Sequence, residues 1–273
     1  MTIEGIATGA QGEVFYRCLL ADWLTPVSAF LRIAKNESRA FLLESVEGGE
    51  RIGRYSFLGV SPEKTFQGTW KDFRDNFPPQ LPIHPGLPPF TGGAVGILSY
   101  DVIRELESLP SEGPSGWRGS PVLMDYYSTI LAFDHLKHQI VILSHQGREK
   151  LDEMENRLLD SGSLQNPAVF LTAPEEGGQQ GVDLQSNFTR ERFCAAVETA
   201  KQYIRAGDIL QVVLSQCFTT DFTGEPFNVY RALRYINPSP YLFFLKMGEL
   251  SVAGSSPEML IKVNGSQLEY RPI

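Results

Sequence analysis

Four features of this chain have residue types and spacing suited to chemistry: a carboxylate at a strand break, a proline-locked loop, a histidine-rich turn and a glycine run. Glu258 follows Ala253-Gly254-Ser255-Ser256-Pro257 and stands between the apolar runs LSVAG and MLIKV. Pro257 has no amide proton, so continuous central pairing breaks there. A carboxyl group at such a break can line a cavity, where partial desolvation raises its pKa toward that of a general acid. A surface-turn glutamate is the plainer reading of the same residues. Asn237-Pro238-Ser239-Pro240-Tyr241 closes a predicted helix and leads into a strand. Its two prolines fix an extended turn that either presents Tyr241 to a small ligand or only ends the helix.

The other two features read as structural. His135, His138 and His145 sit around a turn between strands, where alternation scatters side chains over both faces rather than converging them on a metal. The run Gly92-Gly93-Ala94-Val95-Gly96 lacks the spacing of a phosphate loop and continues as a strand, so close backbone packing accounts for it.

The elements that must position these residues can be read from periodicity. Short β-branched and aromatic runs predict strands at Val14–Leu20, Arg39–Ser45, Arg54–Leu58, Gly93–Tyr100, Ser128–Phe133 and Gln139–Ser144. Helical spacing marks Pro26–Ala34 and Glu149–Leu159. Thr189–Ala206 predicts a helix with Phe193, Ala196, Val197, Ala200, Tyr203 and Ile204 on one face, Thr189 as N-cap and Gly207 just past its end. Ile209–Leu214 reads as a buried strand, Phe227–Ile236 as a helix, and Tyr241–Lys246, Leu250–Ala253 and Met259–Val263 as strands, with Glu269–Ile273 extended.

Two breaks organise the chain. Six prolines between Pro78 and Pro89 exclude regular structure and read as a rigid surface connection rather than a PxxP ligand. The polar, Gly-rich stretch 172–187 is the expected linker between a domain at 1–171 and a second at 188–273.

Composition narrows the class. The 273 residues are 42% hydrophobic and 21% charged, enough for a sizeable core and too apolar for a disordered chain. A formal charge of −8 without a basic block argues against nucleic acid as a partner. No run is long enough to span a bilayer, and the N-terminus resembles no secretory signal. Three widely spaced cysteines form neither a disulfide framework nor a zinc motif. The expectation is a reduced, cytoplasmic protein.

Six ordered strings carry a specific resemblance: FLLESVEGGERIGRYSFLG (41–59), FTGGAVGILSYD (90–101), AKQYIRAGDILQVVLSQ (200–216), NPSPYLFFL (237–245), AGSSPEML (253–260) and YRPI (270–273). Together they resemble anthranilate synthase component I, over nearly the whole chain from about residue 15. The resemblance implies an α+β fold, an antiparallel β-sandwich with helices packed outside, incomplete at its C-terminus. It also implies chorismate as substrate, ammonia from a glutamine amidotransferase subunit, Mg²⁺, and anthranilate and pyruvate as products.

The resemblance carries roles onto particular residues. Glu258 matches the general acid that protonates the departing hydroxyl. Gln211 stands where the isochorismate and salicylate branch carries a lysine base; a neutral amide cannot activate water, which argues for ammonia as nucleophile. Feedback inhibition by L-tryptophan in the family uses the Ser of LLES and the Pro-Tyr-Met of NPSPYM, here Ser45 with its neighbour Glu44, and Pro240, Tyr241 and Leu242. The Met-to-Leu change nearly conserves volume, and Glu44 is placed to meet a ligand ammonium. The family's Mg²⁺ ligands, catalytic histidine and carboxylate-holding arginine are expected beyond residue 273, so the chain alone is expected to be inactive. Aminodeoxychorismate synthase component I and a non-catalytic tryptophan-binding fragment are the competing expectations.

Overall fold

Most of the β-branched and aromatic runs form strands in the computed structural model, which describes residues 3–9, 12–45, 53–76, 81, 84–109, 119–160 and 183–271. Pro78, Pro79, Pro82 and residues 172–182 of the expected linker lie outside the described residues. In chain order the first elements are β1 (Ile3–Gly9), β2 (Gly12–Leu20), α1 (Pro26–Ile33), β3 (Arg39–Glu44), β4 (Tyr55–Val60), β5 (Lys64–Gly68) and α2 (Trp70–Asn76). Next come β6 (Gly93–Leu98), β7 (Val122–Tyr127), β8 (Thr129–Asp134), β9 (Gln139–Ser144) and α3 (Arg148–Leu159). Then follow β10 (Gln185–Ser186), α4 (Arg190–Ala206), β11 (Phe218–Thr219), α5 (Pro226–Ile236), β12 (Tyr241–Met247), β13 (Leu250–Ser256), β14 (Met259–Asn264) and β15 (Gln267–Arg271).

Two compact units hold these elements. The larger gathers β1 to β9 with α1 to α3, and takes up the chain again from Glu225, so that it includes α5 and β12 to β15. The smaller comprises, among its described residues, 183–224 with α4 and the β10–β11 pair. This division differs from the expected boundary, under which 188–273 would stand together. The reason is hydrogen bonding: β12 pairs antiparallel with β3, which draws the last part of the chain into the first sheet.

The larger unit is a layered α+β sandwich. Its main sheet has eight strands in the order β1-β2-β9-β8-β4-β3-β12-β13, and a second has three in the order β5-β7-β6. Because alternate side chains point to opposite faces, one strand feeds two cores. On β3 and β12, Leu42, Leu242 and Phe244 pack against α1, α3 and α5, while Phe41, Leu43, Phe243 and Leu245 face the three-stranded sheet. The expected sandwich with helices outside is the fold observed.

Local signals placed the helix ends well. Thr25 caps α1 in a reciprocal box with Ser28, and Pro26 occupies the first turn. Thr189 accepts the Arg192 amide at the start of α4, and Gly207 ends that helix with φ of 82°. Gly96 lies on β6 where a Cβ would collide with the Leu123 carbonyl, so close packing explains the glycine run.

Three expectations need correction. Ile209–Leu214 is irregular rather than a buried strand, with Leu210 97% and Val213 85% exposed. An apolar run becomes a strand only where a neighbour accepts its ladder, and none does so among the described residues. The apolar stripe of α4 forms as spaced, but no residue of that helix is buried. The strand at Gly93–Tyr100 stops at Leu98 and turns into a 3-10 helix over Tyr100–Glu105. β1, β5 and β7 had no clear signal, β7 because VLMDYY buries Asp125 mid-strand.

Candidate functional site

The two strings assigned to one ligand are neighbours in the sheet. β12 runs beside β3 with Leu242 opposite Glu44, and beside β13 with Leu242 opposite Ser255. A cavity of about 690 Å³ opens here between the two sheets of the larger unit. Leu43, Phe57, Phe90, Val95, Ile97, Tyr241 and Phe243 line it, and Glu44 and Leu242 contribute to its wall. An apolar, aromatic cavity with few polar groups suits a ligand with an aromatic body.

Glu44 is the polar feature of this region, and it is 5% exposed. Tyr230 Oη donates to its Oε2 at 2.6 Å, and Arg234 donates through Nε at 3.0 Å and Nη2 at 3.4 Å. Burial, and then the Glu44 charge, push the Tyr230 phenol far above its ordinary pKa, so it remains a donor. The carboxylate expected to meet a ligand ammonium therefore already holds two side chains of α5. A carboxylate has about four acceptor sites, so a further donor can still be received. Tyr230 and Arg234 were missed at sequence level; their only signal was an i, i+4 spacing on the packed face of α5.

The other residues of this set lie close along the strands. Ser45 follows β3 directly, and its Oγ is buried without a hydrogen-bond partner among the described residues. A buried hydroxyl left unpaired costs about 1–3 kcal/mol, so a ligand group that reached it would gain that energy. Ser239 and Pro240 are buried, and Tyr241 is half-buried.

Glu258 and Gln211 fall in different units. Glu258 sits in the larger one at the break between β13 and β14, where Pro257 interrupts pairing. Its amide donates to Ser256 Oγ at 3.2 Å, and that hydroxyl donates to the Glu258 carbonyl oxygen at 3.2 Å. The residue is exposed rather than enclosed, because β14 pairs with β15 alone among the described residues. Gln211 lies in the smaller unit, exposed on the irregular stretch after α4.

The histidines do not converge. His135 Nε2 lies 2.8 Å from Ser56 Oγ, His145 Nε2 lies 3.1 Å from the Thr91 carbonyl oxygen, and His138 sits in the β8–β9 turn with φ of 51°. Among the described residues no three His, Cys, Asp or Glu side chains gather as metal ligands. The described residues thus gather no ligand set for Mg²⁺. No helix among the described residues is long and apolar enough to cross a membrane.

The sheets and the cavity between them define a chorismate-enzyme type of fold, and comparison with known proteins agrees. The family of chorismate binding enzymes matches residues 38–273, and the chain belongs to that family. Among curated relatives, anthranilate synthase component 1 of Thermus thermophilus is 38% identical over 277 residues, covering 95% of this chain and 59% of the relative. The protein of the same name from Acetivibrio thermocellus is 38% identical over 292 residues, covering 93% and 57%. The crystal structure of anthranilate synthase component I from Streptococcus pneumoniae superposes with a TM-score of 0.63 at 27% identity, covering 92% of this chain and 59% of that one. The chain thus spans under three-fifths of the length of these relatives.

Proposed function

We propose that this chain forms part of an enzyme that turns chorismate and ammonia into anthranilate, pyruvate and water. Ammonia would come from a glutamine amidotransferase subunit, and Mg²⁺ would act in the complete enzyme. Glu258 is the general acid for loss of the ring hydroxyl. Its exposure leaves it to be enclosed by other parts of that enzyme. Gln211 is a neutral neighbour of the nucleophile and cannot serve as a base for water. The chain alone is inactive in this reading, and L-tryptophan is a feedback inhibitor of the complete enzyme.

The observation that carries the reading is the register of β3 against β12. It brings Glu44 opposite Leu242 although the two strings lie far apart in the chain. The indole would occupy the apolar cavity against Tyr241 and Phe243, with Leu242 backing that wall and Pro240 holding the loop that enters β12. The Ser45 hydroxyl would gain a partner, and Glu44, held by Tyr230 and Arg234 on the α5 face of β3, would border the cavity. Because this cavity lies wholly within the larger unit, tryptophan binding by a catalytically silent chain is a second reading with its own support.

Two measurements test these statements. Calorimetry of the chain with L-tryptophan is expected to give a saturable heat, weakened about tenfold or more in Ser45→Ala, since 1.4 kcal/mol is a factor of ten. No heat from the unsubstituted chain would remove the tryptophan site. With chorismate, ammonium and Mg²⁺, no anthranilate fluorescence is expected; its appearance would overturn the inactivity of the chain alone.

A further inference from the structure

We infer that Ser255 is a positioning residue that ties the Glu258 turn to the Glu44 cluster through the C-terminal end of α5. The inference deepens the reading above and rests on Glu258 as the reacting acid.

Glu44, Leu242 and Ser255 form one row across β3, β12 and β13, opposite one another in register. Residues directly opposite on antiparallel neighbours share a face, and here it is the face that carries α5. At one end of the row, Glu44 grips Tyr230 in the middle of α5 and Arg234 in its last turn. At the other end, Ser255 Oγ donates to the Asn237 carbonyl oxygen at 2.6 Å and lies 2.8 Å from the buried Ser239 Oγ. Asn237 is the C-cap of that same helix, its amide bonded to the Leu233 carbonyl. Both ends of the row therefore hold one rigid element.

The link continues to the acid. Ser256, the next residue, closes the turn of Glu258 through both its amide and its carbonyl. Pro257 fixes φ between them and removes one way for that turn to slacken. A displacement at Glu44 that shifts Arg234 moves the end of α5 and is passed through Asn237 and Ser255 to Ser256 and Glu258.

Amide hydrogen exchange on the ligand-free chain tests the link without assuming tryptophan binding. Ser255→Ala is expected to speed exchange of the Ser256 and Glu258 amides about fivefold, as the loss of a hydrogen bond of about 1 kcal/mol implies. The amides of β3 should stay unchanged, and Ser255→Thr should restore protection because it keeps the hydroxyl on a strand position. Glu44→Gln, which weakens the Arg234 pair, should also speed exchange of the Ser256 and Glu258 amides. Unchanged exchange there in Ser255→Ala, failure of threonine to rescue, or a Glu44→Gln effect confined to α5 would each overturn the inference. Failure of the general-acid reading is seen separately, as full activity of Glu258→Gln in the complete enzyme, and leaves these exchange rates untouched.

Discussion

At the residue scale, the informative side chains are charges that the sheets bury. Asp125 is fully buried on β7, and Arg39 from β3 reaches it with Nη1 at 2.7 Å, joining the two sheets across the inter-sheet core. Burial raises the Asp125 pKa, and the Arg39 charge opposes that rise. Removing one partner leaves the other buried and uncompensated, so Arg39→Ala is expected to destabilise the fold by about 3 kcal/mol in urea unfolding. A loss under about 1 kcal/mol would show the pair to be solvated. Glu44 has the same character, since it is buried and held from a helix far along the chain. Neither pairing was legible in the sequence. An acidic residue inside an apolar strand announces that it needs a partner, but not which one.

At the element scale, α5 is fixed by aromatic packing. Phe227 stacks on Phe30 of α1 with centroids 4.3 Å apart and meets Phe244 of β12 edge-on at 5.1 Å, while Tyr230 lies 5.9 Å from Phe244. Phe244 thus joins a helix from each part of the chain to the sheet. Phe244→Ala is expected to cost about 3–5 kcal/mol, read as a lower denaturant midpoint with the m-value kept. An unchanged midpoint would mean the site collapses around the smaller residue. The helices and most strands were readable because caps and periodicity are local, as Thr25, Thr189 and Gly207 illustrate. Ile209–Leu214 was misread because its composition is that of a strand, whereas strand formation depends on a neighbour.

At the scale of the whole molecule, a half-buried histidine bonded to the Thr91 backbone makes stability depend on pH. Burial, and to a lesser degree nearby His84, hold the His145 pKa below its ordinary 6.5, against its bonds to the Thr91 and Glu13 backbone. His84 is itself buried. Just below that pH the unfolded chain binds more protons than the folded one, so stability rises with pH through this window and falls on acidification. Lowering the pH from about 7.5 to about 5.5 should reduce the thermal midpoint, and His145→Gln should flatten that slope. An identical slope in the variant would place the acid sensitivity elsewhere.

The sequence by itself determined the family and the sandwich with its outer helices. Those properties are written in local patterns and ordered motifs. Tertiary structure decided that β12 enters the first sheet beside β3, that Glu44 is claimed by Tyr230 and Arg234, and that the chain returns to the larger unit at Glu225. Periodicity says which face of a strand is buried; only the register of distant strands says which residue stands opposite which.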